Sequence, residues 1–187
     1  MARTSQRKPT PKLPKPCLIL GVGNILLGDE GVGVHVVRAI EARVEAGDLA
    51  LPEGVEVSDG GTMGLDLMDL LEGRRKVVVI DALDPSGGAA PGAVLRFTAE
   101  DLARLRQGEA PLRRGEARRQ AANLSLHQVG LFEAIEMARI LGRAPQKVVI
   151  FGIVPKDMSP GLELSAEVAA VVPEVIRRVM AEIAEGK

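Results

Sequence analysis

Residues 17–34, CLILGVGNILLGDEGVGV, decide the fold. The run from Cys17 is continuously apolar and is stopped by glycine, the pattern of a strand covered on both faces, expected near 17–23. Asp29 and Glu30 then open DEGVGVHVVRAIEARVEAG, whose apolar spacing predicts a helix from about Asp29 to Ala46 with Gly47 as its stop. Strand, tight loop and helix in that order begin an α/β domain.

The same rhythm continues outward. VEVSD near 55–59 reads as a second strand ending in the turn-formers Gly60 and Gly61, and GLDLMDLLEG as a short helix around 64–72. KVVVIDAL near 76–83 is a third strand, rich in the β-branched residues of a strand buried on both faces, so a parallel sheet is implied. DPSGGAAPG, 84–92, offers turn residues but no crossover helix. The strand expected at 93–97 is therefore antiparallel, and one edge of the sheet is mixed.

Residues 98–122 read as a mobile basic excursion, with Gly108, Pro111 and Gly115 interrupting any helix. Helical spacing resumes at Leu126 with Ser125 as N-cap, and KVVIFGIVP, 147–155, is the fifth strand. A last helix runs from Ser165 toward Glu185, and Pro173 is expected to kink or divide it.

Composition sets the outer bounds. A chain of 187 residues that is 46% apolar supports one compact domain, assigned to 17–187. Ahead of it, residues 1–16 carry Arg3, Arg7, Lys8, Lys12 and Lys15 with four prolines and no acid, a basic disordered tail. The rest is then mildly acidic and lacks a nucleic-acid signature. One cysteine, Cys17, allows no internal disulfide and fits the cytoplasm, and no apolar run is long enough to span a membrane. Aromatics at 2% leave few stacking platforms for single-stranded nucleic acid or a flavin.

In an open α/β sheet, ligands bind beyond the carboxyl ends of the strands. There the sequence places Asn24, Asp29 and Glu30; then Asp59, Gly60, Gly61 and Thr62; then Asp81 and Asp84; and, opening the helix after the excursion, Ser125, His127 and Gln128. Gly21 and Gly23 suggest a dinucleotide loop, but Leu26 replaces its third glycine and two acids stand where a pyrophosphate would sit. The same charges favour a cation. Glu30, Asp81 and His127 offer two carboxylates and an imidazole, a set suited to nickel, zinc, manganese or iron with positions left open for substrate. Singly, each has an ordinary explanation as a helix-start or turn residue; convergence on one rim is what distinguishes them. His35 falls on another helical face and reads as packing. The motifs of zincins and serine hydrolases are missing.

Four blocks carry a resemblance: GVGNILLGDEGVGV at 21–34, DGGTMGLDL at 59–67, VVVIDAL at 77–83 and SLHQVGL at 125–131. In order and spacing they resemble the hydrogenase maturation endopeptidases across nearly all of 17–180. The resemblance implies a three-layer α/β/α, phosphorylase/hydrolase-like fold with a five-stranded mixed sheet in the order 2-1-3-5-4, strand 4 antiparallel. It implies removal of a C-terminal extension from the large-subunit precursor of a nickel-iron hydrogenase after nickel insertion. It also implies that Glu30, Asp81 and His127 bind the metal, which arrives with the precursor and for which zinc or cadmium is a surrogate. Glu30, Asp81 and Asp59 are the catalytic candidates, in an aspartic-type or metal-dependent peptidase. Asn24, Asp59, Gly60, Gly61, Thr62 and Gln128 are the substrate-binding candidates. A non-catalytic metal-sensing chaperone of the precursor is the competing reading.

Overall fold

A computed structural model describes residues 17–85, 88–106 and 126–185, with the backbone alone at 102, 105, 106 and 126–129. The basic tail, Ser125 and most of the Arg-rich excursion lie outside the described residues.

The strands are β1 (Cys17–Val22), β2 (Val55–Gly61), β3 (Lys76–Ala82), β4 (Val94–Thr98) and β5 (Lys147–Ile153). The helices are α1 (Val32–Glu45), α2 (Leu67–Leu71), α3 (Ala99–Arg106), α4 (Leu126–Ile140) and α5 (Ala166–Ala184), with a 3-10 turn at Gly28–Gly31. The five strands form one sheet in the order β2-β1-β3-β5-β4. All pairings are parallel except β4 with β5. The helix-free link after Asp84 thus leads to an antiparallel edge, as expected.

Side-chain alternation along the central strands builds a core on each face. Leu18, Leu20, Val22, Val77 and Val79 face α2 and α4, where Leu67, Leu71, Leu131 and Ile135 cover them. Ile19, Val78 and Ile80 face α1 and α5, under Val36, Ile40, Val175 and Val179. At its far end α5 brings in Glu182, whose buried carboxylate meets Lys76, Arg96 and Lys147 from three strands.

Several elements differ from expectation. Asp29 and Glu30 lie in the 3-10 turn, and α1 begins only at Val32, with no acid in its first turn. Gly60 and Gly61 belong to β2. Gly21 pairs with Asp59 but Val22 with Gly61, so Gly60 is a bulge at the strand's end. The excursion opens with α3, which the sequence reading missed. Thr98 and Asp101 form its capping box: Thr98 N donates to Asp101 Oδ2 and Asp101 N to Thr98 Oγ1. Pro173 does not divide α5. Its missing N–H frees the carbonyl of Ala169, an exposed residue where water can take the bond.

Candidate active site

Close backbone packing sets the site at the carboxyl rim of β1 and β3, hydrogen-bonded neighbours at the sheet's centre. A Cβ on Gly33 would lie 2.1 Å from the Ile80 carbonyl oxygen, and one on Gly21 would lie 2.2 Å from that of Gly33. Only glycine allows α1 to sit this close to the strand ends. A Cβ on Gly23 would likewise lie 2.0 Å from the Glu30 carbonyl oxygen, so the loop after β1 presses on the 3-10 turn.

The two adjacent acids of that turn part company. Asp29 is buried and wholly engaged by the loop before α5. Its Oδ1 accepts from Ser165 N at 2.7 Å, and its Oδ2 accepts from Lys156 N at 2.8 Å, Asp157 N at 3.0 Å and Ser165 Oγ at 2.8 Å. Burial pushes its pKa up, but the hydrogen bonds from Asp157, Ser165 and Lys156 outweigh it and hold the carboxyl below its ordinary value. Asp29 is a strut. Glu30 is half-buried and lies near enough to Asp81 for its charge to act on that carboxyl.

Asp81, at the end of β3, is fully buried. Its Oδ1 accepts from Ala82 N at 2.8 Å; its Oδ2 accepts no hydrogen bond from the described residues. Burial pushes this carboxyl well above its ordinary value, the Ala82 N–H pulls it down, and the Glu30 charge adds to the rise. By alternation with Val77 and Val79, Asp81 faces the layer of α2 and α4. Helix α4 precedes a parallel strand, so its first turn, with His127 and Gln128, stands at the carboxyl rim. One turn on, a Cβ at Gly130 would come within 3.5 Å of Gly64 Cα, just past the Asp59–Thr62 block. The side chains of His127 and Gln128 lie outside the described residues. Among those described, no three His, Cys, Asp or Glu side chains form a metal-binding group.

A cleft of about 330 Å³ opens between the loop after β1 and the end of β2. Asn24, Asp59, Gly61 and Thr62 line it, together with Ile25, Leu26, Val34 and Arg38. Asn24 also shapes its own loop, since its Oδ1 accepts from Leu26 N at 3.0 Å. Gly60 is buried under the rim, where a Cβ would lie 2.9 Å from Leu20 Cδ1. Asp59 has both oxygens engaged: Oδ1 by Gly61 N at 2.9 Å and Oδ2 by Arg38 Nη2 at 3.1 Å. Arg38 is the cleft residue that sequence reading passed over. Its one signal was position, four residues after Val34 and so on the same face of α1.

Fold and site together define an α/β protein with two acids, Glu30 and Asp81, at the carboxyl rim and a small cleft at the ends of β1 and β2. A family model described as hydrogenase maturation protease matches residues 34–182. The chain is 32% identical over 168 residues to the hydrogenase 2 maturation protease of Escherichia coli, covering 90% of each chain. It is 34% identical to the hydrogenase expression/formation protein HupD of Bradyrhizobium diazoefficiens, covering 96% of this chain and 91% of that one. The solved structure of the hydrogenase maturating endopeptidase HybD from E. coli superposes with a TM-score of 0.73 at 32% identity, over 91% of this chain and 93% of that one. The chain belongs to the hydrogenase maturation protease family. It is a peptidase with the fold that the four sequence blocks implied.

Proposed function

We propose that this peptidase removes the C-terminal extension of a nickel-iron hydrogenase large-subunit precursor, in the cytoplasm, once nickel is in place. The observation that carries the reading is the buried Asp81 Oδ2, which has no donor among the described residues. An orphaned carboxylate oxygen beside a second acid is costly without a cation and suited to one. Glu30 and Asp81 would supply oxygen ligands, and His127, at the same rim, an imidazole.

Nickel is part of the substrate in this scheme. Precursor carrying the ion is docked when Glu30, Asp81 and His127 complete its coordination, and Asp81 gives up its proton as it does so. The scissile peptide then lies along the cleft. The precursor's nickel would polarise its carbonyl while a carboxylate orients the attacking water, takes its proton and returns it to the leaving amine. Precursor without nickel lacks the docking ion and is left uncut. Membership of a protease family argues against clamping without cutting.

Coexpression with a large-subunit precursor, followed by mass spectrometry, tests this reading. The wild-type chain should shorten the nickel-loaded subunit at its carboxyl end, and Ala at Glu30, Asp81 or His127 should abolish the cut without unfolding the protein. Full processing by all three variants would defeat the assignment.

A further inference from the structure

We propose that Arg38 is a substrate-binding residue that grips the main chain of the precursor's extended segment, and that Asp59 is the positioning residue that aims it. This rests on the peptidase reading above and goes beyond its acid and imidazole groups.

Val34 and Arg38 stand one turn apart on α1 and both line the cleft. The guanidinium is a planar fork with five N–H donors. Only Nη2 is used among the described residues, on Asp59 Oδ2, and the side chain remains 53% exposed. Such a surface pair contributes little stability. What it does fix is direction. Asp59 is itself held by the Gly61 N–H at the β2 bulge, so one end of the fork is tethered while its other donors remain open to the cleft.

Charge and polarity name the occupant. Asp59 balances Arg38, so the pair presents hydrogen-bond donors with little net charge, and a phosphate or carboxylate would meet the Asp59 oxygens. Peptide carbonyl oxygens are neutral acceptors and meet no such opposition. Part of the lining is apolar: Ile25, Leu26 and Val34 border the cleft, and Leu26 is 60% exposed. Extended peptide with uncharged, apolar side chains fits both features. Gly23, which lines the cleft, packs on the turn that carries Glu30, where a Cβ would lie 2.0 Å from the Glu30 carbonyl oxygen.

The test is steady-state cleavage of nickel-loaded precursor by the full-length protein and its R38A, R38K, D59N and double R38A/D59N variants, with calorimetric binding of the same precursor in parallel. R38A should raise KM and Kd about tenfold with kcat within about threefold of wild type. Lys, a point charge without the fork, should recover only part of the loss. D59N should raise KM less than R38A, and the double variant should match R38A alone, because the two residues act through one contact. Asp placed beside the scissile bond of the precursor should weaken binding to wild type.

Unchanged KM and Kd in R38A would overturn the role of Arg38. A collapse of kcat in D59N with KM unchanged would overturn positioning and make Asp59 a catalytic base, and full additivity in the double variant would separate the two residues. Wild type that binds precursor without cutting it would sink the peptidase reading instead, while the Kd of R38A still decides for or against Arg38. Circular dichroism confirms that each variant is folded.

Discussion

Gly33 lies against Ile80 so closely that a Cβ on the glycine would stand 2.1 Å from the Ile80 carbonyl oxygen. That carbonyl belongs to the residue before Asp81, and Gly33 follows Glu30 by three. The same contact therefore seats α1 on the sheet and brings the two acids to one rim. Gly33→Ala should gain up to about 1 kcal/mol of helix propensity. The gain is outweighed, because the obstruction is backbone and overpacking costs about 1–3 kcal/mol. We expect a lower melting temperature and a larger loss of precursor processing, since any shift of α1 also carries Glu30 away from Asp81. A variant with unchanged melting and full processing would contradict this account of how the site is assembled.

Asp29 and Glu30 should respond oppositely to substitution. Asp29→Ala removes the buried carboxylate that takes the N–H groups of Lys156, Asp157 and Ser165 and releases the loop that precedes α5. Loss of so many partners in a buried site costs about 3–5 kcal/mol. Glu30→Gln should melt near wild type but fail to process precursor. Thermal denaturation and a cleavage gel, run on both variants, distinguish the strut from the functional acid.

Much of this was legible in the sequence because the physical cause was local. Continuous apolar runs from Cys17 and through Val77–Ile80 announced strands covered on both faces, and the missing helix after Asp84 announced the antiparallel edge. What was hidden depends on chain far away. Nothing in the pair Asp29–Glu30 says which acid is structural, since the deciding donors sit at Lys156, Asp157 and Ser165. Arg38 became a site residue only once α1 lay beside the end of β2, where Asp59 waits 21 residues on. The capping box of α3, by contrast, was in plain view as Thr98 and Asp101 and was obscured by the charged, glycine-interrupted sequence that follows it.

Asp81 predicts a trade between stability and function. Its pKa is raised by burial and by Glu30, so its favourable contribution is complete below the unfolded value and is lost as pH rises through the folded one. Asp81→Asn cannot ionise. The variant's melting temperature relative to wild type should therefore climb as pH rises from the ordinary carboxyl value of 3.8 toward the raised folded one, while its processing of nickel-loaded precursor is absent at every pH. A difference in melting temperature that stays flat across this range would mean that Asp81 does not titrate as its surroundings require.

Glu182 gives the opposite sign at the other end of the molecule. Burial opposes its charge, but hydrogen bonds from Lys76, Arg96 and Lys147 hold its pKa at about 2 against an ordinary value of 4.5. A carboxyl depressed in this way stabilises the fold above its unfolded pKa and loses that contribution as pH falls through the folded one. The window thus runs from about pH 4.5 down to about pH 2. At roughly 1.4 kcal/mol per unit, the shift corresponds to about 3 kcal/mol. Both carboxylate oxygens and Lys76 Nζ are buried, so solvent screens the pair of Lys76 and Glu182 little, whereas Arg96 and Lys147 are half exposed and contribute less. Glu182→Gln should lower stability by about that amount at pH 7, with the deficit closing toward pH 2 because wild type then carries a neutral carboxyl as well. Urea unfolding of both proteins at pH 7, 4 and 2 measures it. A deficit that persists undiminished at pH 2 would assign the loss to packing at the end of α5 rather than to the charge.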